Sequence, residues 1–251
     1  MPLTEQRISF IFVYCEQVLF FTDKLMKKIG LVGGISWVST LDYYKLINEG
    51  VNRRLGGLHF AECLLYSLNF ADVQAVGWEN AYELLRDACA SLKRGNAEAI
   101  ALCANTAHLF ADQLEAELHL PFIHIVTETA KVLRRESHTT IGLLGTKVTM
   151  EMPFYRDRLA AFGITVLTPQ TQATRDYVQF TVKEELGRGF LNPETKARYV
   201  AIAQELMSSG ATAIVLGCTE IPLLISQADF SVPVFDTVKI HADAIVDYLV
   251  S

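Results

Sequence analysis

No run of this 251-residue chain is both long and apolar enough to cross a bilayer. Its most apolar stretch, residues 8–21, is short and carries Glu16 and Gln17, whereas a spanning helix needs about 20 apolar residues. That stretch also lacks the small-residue cleavage site of a secretory signal. Basic residues are outnumbered, 22 Lys and Arg against 28 Asp and Glu, for a net charge of −6. A phosphate-binding surface needs the opposite balance, so neither nucleic acid nor membrane is expected as a partner. The small basic pairs Arg53-Arg54 and Arg134-Arg135 are read as solvated helix faces. The five cysteines, an odd number without close pairing, read as reduced thiols of a cytoplasmic protein. No C-x-x-C or His-rich cluster points to a metal. Gly30-x-x-Gly33-Gly34 misses the G-x-G-x-x-G spacing, which argues against a dinucleotide.

What is present is repetition. Lys28-Ile29-Gly30-Leu31-Val32-Gly33-Gly34 is echoed by Thr140-Ile141-Gly142-Leu143-Leu144-Gly145-Thr146, and Ala99-Ile100-Ala101-Leu102-Cys103-Ala104-Asn105-Thr106 by Ala213-Ile214-Val215-Leu216-Gly217-Cys218-Thr219-Glu220. A third echo sets Leu120-Pro121-Phe122-Ile123-His124 against Val232-Pro233-Val234-Phe235-Asp236. The offsets are 112, 114 and 112 residues (28 to 140, 99 to 213, 120 to 232). Three matches in one order at a near-constant offset imply an internal duplication. With 51% apolar residues, the chain can fill two small cores.

Short apolar runs bounded by Gly or Pro alternate with amphipathic stretches, the pattern of parallel α/β sheets. Strands are expected at 29–32, 63–68, 99–102 and 122–125, and again at 141–144, 164–168 and 213–216. Tyr82, Leu85, Cys89 and Leu92 recur at helical spacing, which predicts a helix over 80–94 stopped by Gly95 and places Cys89 in the core. Cys63 is expected in the core as well. Further helices are expected near 151–162, over 194–209 up to Gly210, and over 241–250. The fold class is therefore α/β: two similar Rossmann-like domains related by a pseudo-twofold duplication, with the active site in the cleft between them. Residues 26–120 plus 234–251 form the first domain and 121–233 the second. The last helix lies back on the first domain, and residues 1–25 form an extension outside the fold.

Ligands of open parallel sheets bind at the carboxyl ends of strands. Four turns lie there: Gly33-Gly34-Ile35-Ser36, Cys103-Ala104-Asn105-Thr106-Ala107-His108, Gly145-Thr146-Lys147-Val148-Thr149 and Gly217-Cys218-Thr219-Glu220. Backbone N–H groups opening a helix suit a small carboxylate. A strand-end cysteine alone is usually a small buried residue; two related by duplication carry more weight. His108 is read as a hydrogen-bonded structural histidine.

At these residues the chain resembles the aspartate/glutamate racemase superfamily, in particular the broad-specificity amino-acid racemases of the aspartate racemase branch. Gly33-Gly34-Ile35-Ser36-Trp37-x-x-Thr40, Asn48-Glu49-Gly50, Arg54-Leu55-Gly56-Gly57-Leu58-His59, Asn105-Thr106-x-His108 and Gly217-Cys218-Thr219-Glu220-Ile221 carry the resemblance. It implies racemisation of an amino acid without PLP, metal or other cofactor, by two cysteines on opposite faces of the substrate. A thiolate removes the weakly acidic α-proton while a thiol returns one, with the carbanion held through its carboxylate. Cys218 and Cys103 are the catalytic candidates. Ser36, Asn105, Thr106, Thr146, Thr149 and Thr219 are the substrate-binding ones, and a homodimer is the expected assembly.

One departure bears on the mechanism. The first catalytic cysteine of the family directly precedes Asn-Thr, a place held here by Ala104, with Cys103 one residue earlier. The repeat likewise aligns Ala104 with Cys218. A one-residue shift on extended backbone turns a side chain to the opposite face. Three outcomes stay open: a bulge brings Cys103 to the cleft, water or another group serves the second face so that proton transfer is one-sided, or the protein binds without turnover. A non-catalytic amino-acid or dicarboxylate binder is the alternative from another class, and a one-cysteine decarboxylase or maleate-type isomerase a third. The Arg and Lys by which aspartate racemases hold a side-chain carboxylate have no evident counterpart at residues 68–73 and 185–188.

Overall fold

The structure, a computed structural model, describes residues 26–251; the extension expected at 1–25 lies outside the described residues. The first half runs β1 (Ile29–Gly33), α1 (Trp37–Leu55), β2 (Cys63–Ser67), α2 (Phe70–Val76), α3 (Tyr82–Arg94), β3 (Ala99–Leu102), α4 (Ala111–Leu118) and α5 (Ile125–Arg135). The second runs β4 (Thr140–Gly145), α6 (Lys147–Glu151), α7 (Pro153–Ala160), β5 (Thr165–Leu167), α8 (Gln172–Glu184), α9 (Pro193–Ser208), β6 (Ala213–Gly217), β7 (Val234–Asp236) and α10 (Thr237–Val250). Two parallel sheets result, ordered β2-β1-β3 and β5-β4-β6-β7.

The echoes have physical causes. A Cβ on Gly30 would meet Ile100 Cδ1 at 2.8 Å and Leu92 Cβ at 3.0 Å, and one on Gly142 would meet Ile214 Cδ1 at 2.8 Å and Leu206 Cβ at 3.0 Å. Each glycine lets the helix directly before the third strand (α3 or α9) lie close on the first strand of its sheet. In the third echo, Ile100 N–H donates to Pro121 O and Ile214 N–H to Pro233 O, both at 2.9 Å. The echo ends on matching helix caps: His124 accepts from Val126 N–H at the start of α5, and Asp236 from Val238 N–H at the start of α10.

Several boundaries differ from expectation. Residues 122–125 are not a strand: Phe122 makes one bridge to Ile100, and Ile125 already opens α5. The helix expected over 151–162 is two, parted at Met152 because Pro153 lacks the N–H that would continue the first. The last helix begins at Thr237, one turn before His241, on the Asp236 cap. α3 does end at Gly95, but the left-handed residue that turns the chain is Asn96 (φ 65°). Residues 234–236 pair with β6, so a boundary at 233/234 cuts a strand from its sheet; the chain leaves the second sheet after Asp236. Long helices α1, α5 and α8 carried no assignment in the sequence reading.

From there α10 does cross to the first sheet. Val238, Ala242, Ile245, Val246 and Leu249 join Ile29, Leu31, Tyr43, Ile47, Val51 and Cys103 in one core cluster. Each such fully buried aliphatic contributes about 1.5–3 kcal/mol. Gly50 permits the crossing with α1, since a Cβ there would lie 2.6 Å from Val246 Cγ2. Among the described residues no helix is long and apolar enough to cross a membrane.

Candidate active site

The carboxyl ends of the two sheets face each other, and side chains from both meet there. Thr106, after β3, bonds the hydroxyl of Thr146, after β4, at 3.0 Å and lies 3.5 Å from that of Thr149. Thr146 and Thr149 bond each other at 3.0 Å, and Thr146 also caps α6 through Thr149 N–H. Asn105 spans the same interface: its Nδ2 donates to Thr237 Oγ1 at 3.0 Å, and its Oδ1 accepts from Tyr155 OH at 3.3 Å. Thr237 Oγ1 in turn donates to Leu216 O at 2.8 Å, two residues before Cys218. Buried polar groups must be paired, and Asn105 is paired within the protein; it positions the turn that carries Thr106.

Cys218 is 5% exposed at the end of β6, and its thiol donates to Glu220 Oε2 at 2.9 Å. Thr219 Oγ1 donates to the same oxygen at 2.8 Å. Burial, then the Glu220 carboxylate, push the thiol well above the ordinary thiol range, against the opposing pull of the Glu220 and Thr219 amides. The resting group is a thiol whose proton already points at an acceptor. Ser36 caps α1 by accepting from Ser39 N–H at 3.3 Å, and its carbonyl accepts from Thr40 Oγ1. On α1 the Asp42 carboxyl is raised by burial, against a lowering by Lys45, with smaller raising contributions from Asp236 and Glu220. In the first turn of α1 the Ser39 hydroxyl is buried with no hydrogen-bond partner among the described residues.

Cys103 is placed elsewhere. It is 1% exposed among Leu31, Tyr43, Ile47 and Ala242, and burial, with a smaller contribution from Cys63, pushes its thiol pKa up. Of the three outcomes left open for this turn, the bulge is not what the backbone adopts: Cys103 N–H bonds Val32 O at 2.8 Å in regular sheet fashion, and the catalytic candidate Cys103 lies on the core face. Ala104, 9% exposed, takes the opposite face with Val32, Ile100 and Ala107. Behind this turn lie three histidines. His108 donates from Nδ1 to Ala104 O at 2.9 Å and accepts at Nε2 from Ile125 N–H, which makes it structural. Its ring is 4.6 Å from His124 and 5.4 Å from His241. His241 accepts from Tyr43 OH and donates to Ile123 O.

The structure thus gathers Thr106, Thr146 and Thr149 directly, with Asn105 behind them, and sets Cys218 and Thr219 on Glu220; Ser36 stays at its helix cap. Glu220 stood in the quoted motif without a role. Tyr155, Thr237 and Ser39 lay in no motif, and only long-range packing reveals them. A surface groove lined by Pro169, Gln170, Gln204, Glu205 and Ser208 draws on α9 and the loop after β5, not on these turns.

Known proteins share this arrangement of sheets and turns. The Asp/Glu/Hydantoin racemase family matches residues 32–245. The broad-specificity amino-acid racemase RacX of Bacillus subtilis (strain 168) is 22% identical over 219 residues, 83% of this chain and 92% of that protein. Among solved structures, a putative Asp/Glu racemase from Yersinia pestis is 44% identical with a TM-score of 0.84, covering 90% of this chain and 100% of that one. An aspartate racemase homologue from Pyrococcus horikoshii OT3 is 34% identical with a TM-score of 0.78 and the same coverage. A match over most of the sequence, joined to homology along the length of two solved relatives, means that this chain belongs to the Asp/Glu/hydantoin racemase family.

Proposed function

We propose that the protein is a cofactor-independent amino-acid racemase in which Cys218 is the acid/base on one face of the substrate and Ala104 leaves the other without one. The observation that carries this reading is the Cys218 thiol donating to Glu220 at 2.9 Å. Cys218 passes its proton to the Glu220 carboxylate and becomes a thiolate, which takes the α-proton. Thr106, Thr146 and Thr149 hydroxyls and the amides of their turns hold the substrate carboxylate, and the Ser39 hydroxyl, buried and unpaired among the described residues, gains a ligand partner. The carbanion is reprotonated by Cys218 on the face it left, or by water on the face of Ala104. In the second case the hydroxide formed takes the proton held by the Cys218–Glu220 pair, and the charge balances. Cys103 serves as core.

The substrate is a small amino acid or dicarboxylate rather than nucleic acid or membrane, in keeping with the net charge of −6. The protein works in the cytoplasm as a homodimer. Residues 26–120 with the final helix, and 121–233 with β7, act as two domains that open to admit ligand and close to exclude water. Ala104 also favours a second reading, a binder without turnover. α-Proton exchange in deuterated water across L- and D-amino acids separates the two. Exchange with at least one enantiomer, abolished in Cys218→Ala while ligand affinity stays within about tenfold, is expected; tight binding with no exchange in wild type contradicts the racemase reading.

A further inference from the structure

The chain passes between its halves twice, and a helix opens after each passage. α5 begins at Ile125 and packs on the second sheet, with Val126, Ala130 and Leu133 among Ile141, Leu143 and Val215. α10 begins at Thr237 and packs on the first. The 112-residue offset of the third echo makes Ile125 and Thr237 equivalent positions (125 to 237). Each is bonded toward one of the two turns that flank the substrate. Ile125 N–H donates to His108 Nε2, and His108 Nδ1 donates to Ala104 O at 2.9 Å. Thr237 needs no intermediary: its Oγ1 donates to Leu216 O at 2.8 Å, two residues before Cys218.

The Thr237 hydroxyl does more than its counterpart, because it holds both turns at once. A carbonyl oxygen only accepts, so the hydroxyl proton is committed to Leu216 O, and the lone pairs are left to accept from Asn105 Nδ2 at 3.0 Å. That orients the Asn105 amide with Oδ1 toward Tyr155 OH, which donates at 3.3 Å. One carbonyl thus sets the direction of every bond from Leu216 to Tyr155. Thr237 is fully buried and Asn105 nearly so, where a lost partner leaves a polar group unpaired. Asn105 directly follows Ala104, and Leu216 lies on the strand that leads into Cys218. A single oxygen atom therefore spans from the strand end that carries the thiol to the turn that carries the methyl.

We propose that Thr237 is a positioning residue whose hydroxyl sets the separation between the Cys218 thiol and the Ala104 face, and with it the alignment of the thiol on the substrate α-carbon. The inference rests on the racemase reading of Cys218. Thr237 acts through Leu216 and Asn105 and needs no contact with substrate. The hydroxyls that hold the substrate carboxylate keep their own bonds, Thr106 to Thr146 and Thr146 to Thr149, without it. Loss of the Thr237 hydroxyl therefore falls on proton transfer and not on binding, and a misplacement of about 1 Å costs about 10²-fold in rate.

Steady-state α-proton exchange in deuterated water, on full-length wild type, Thr237→Val and Thr237→Ser, tests this. Valine keeps the shape and loses the hydroxyl; serine keeps the hydroxyl. Thr237→Val is expected to lower kcat by about 10²-fold with KM within about threefold, and Thr237→Ser to keep at least about a third of the wild-type kcat. A merely structural role would lower the urea midpoint without this split and without rescue by serine. Where Thr237→Val does not unfold cooperatively, the smaller Thr237→Ala carries the same expectation; if neither folds, the hydroxyl serves the fold and the proposal falls. Equal kcat in wild type and Thr237→Val, or a loss confined to KM, overturns the proposal and leaves the racemase reading standing. A wild type that exchanges the α-proton of no amino acid removes the racemase reading and this inference with it.

Discussion

Ala104 puts a methyl group where the repeat places the counterpart of Cys218, and the regular β3 ladder turns the neighbouring Cys103 into the core. Cys103→Ala therefore removes packing and not chemistry. It is expected to cost about 1 kcal/mol, the scale of losing one buried heavy atom, with the exchange rate unchanged; urea denaturation and exchange kinetics on the same sample check both. Glu220 makes the opposite kind of contribution. Its charge raises the Cys218 thiol pKa and its oxygen accepts the thiol's hydrogen bond, so Glu220→Gln should lower the thiol pKa, seen as thiolate absorbance during titration. The same variant should slow α-proton exchange by about 10²-fold, within the range of a positioned acid or base. A lower thiol pKa with undiminished exchange would remove Glu220 from the mechanism. At this scale the sequence disclosed Cys218 and the Thr106, Thr146 and Thr149 turns through the repeat. Tyr155 and Thr237 were not legible, because each serves Asn105 from a distant element and neither belongs to an echo.

Among the elements, the junction of β3, α5 and α10 is set by His108, His124 and His241, all buried and each engaged through neutral ring nitrogens. Burial holds all three below the ordinary value of 6.5; Arg158 adds to the shift at His124 and His108 to that at His241, both down to about 3. The unfolded chain takes up these protons near pH 6.5 and the native state refuses them, so unfolding binds protons. Stability from this source is complete above pH 6.5 and is lost as the pH falls below it. Each group adds a slope of about 1.4 kcal/mol per pH unit, about 4 for three. Urea denaturation between pH 7 and 5 should show a steep decline, and His124→Asn, which keeps a capping side chain, should flatten it by about one third. An unchanged slope would mean that the cluster is not neutral. Gly30 and Gly142 offer a second test: with a helix packed on each, Gly30→Ala and Gly142→Ala should each cost about 1–3 kcal/mol by overpacking. The strands of the sheets were legible because their apolar runs are short and bounded by Gly. Residues 122–125 look like a strand but pair through a single residue, and 151–162 hid a break that Pro153 imposes.

In the whole molecule two parallel sheets point their carboxyl ends at one another. Thr106 to Thr146, Asn105 to Tyr155 and the ion pair of Arg158 with Asp112 tie the halves across that interface. The duplication disclosed this architecture, since equal turns at equal offsets can meet only if the halves face each other. The return of α10 onto α1 followed from the same symmetry. The central claim is that this arrangement carries one acid/base, Cys218, opposite a methyl. It is tested most directly by following deuterium uptake and loss of optical activity together, for the enantiomer that exchanges, in wild type and Ala104→Cys. The account predicts that wild-type exchange runs well ahead of racemisation, and that Ala104→Cys raises racemisation by about 10²–10⁴-fold until the two rates converge. Equal rates in wild type, with less than a threefold gain in Ala104→Cys, would contradict it.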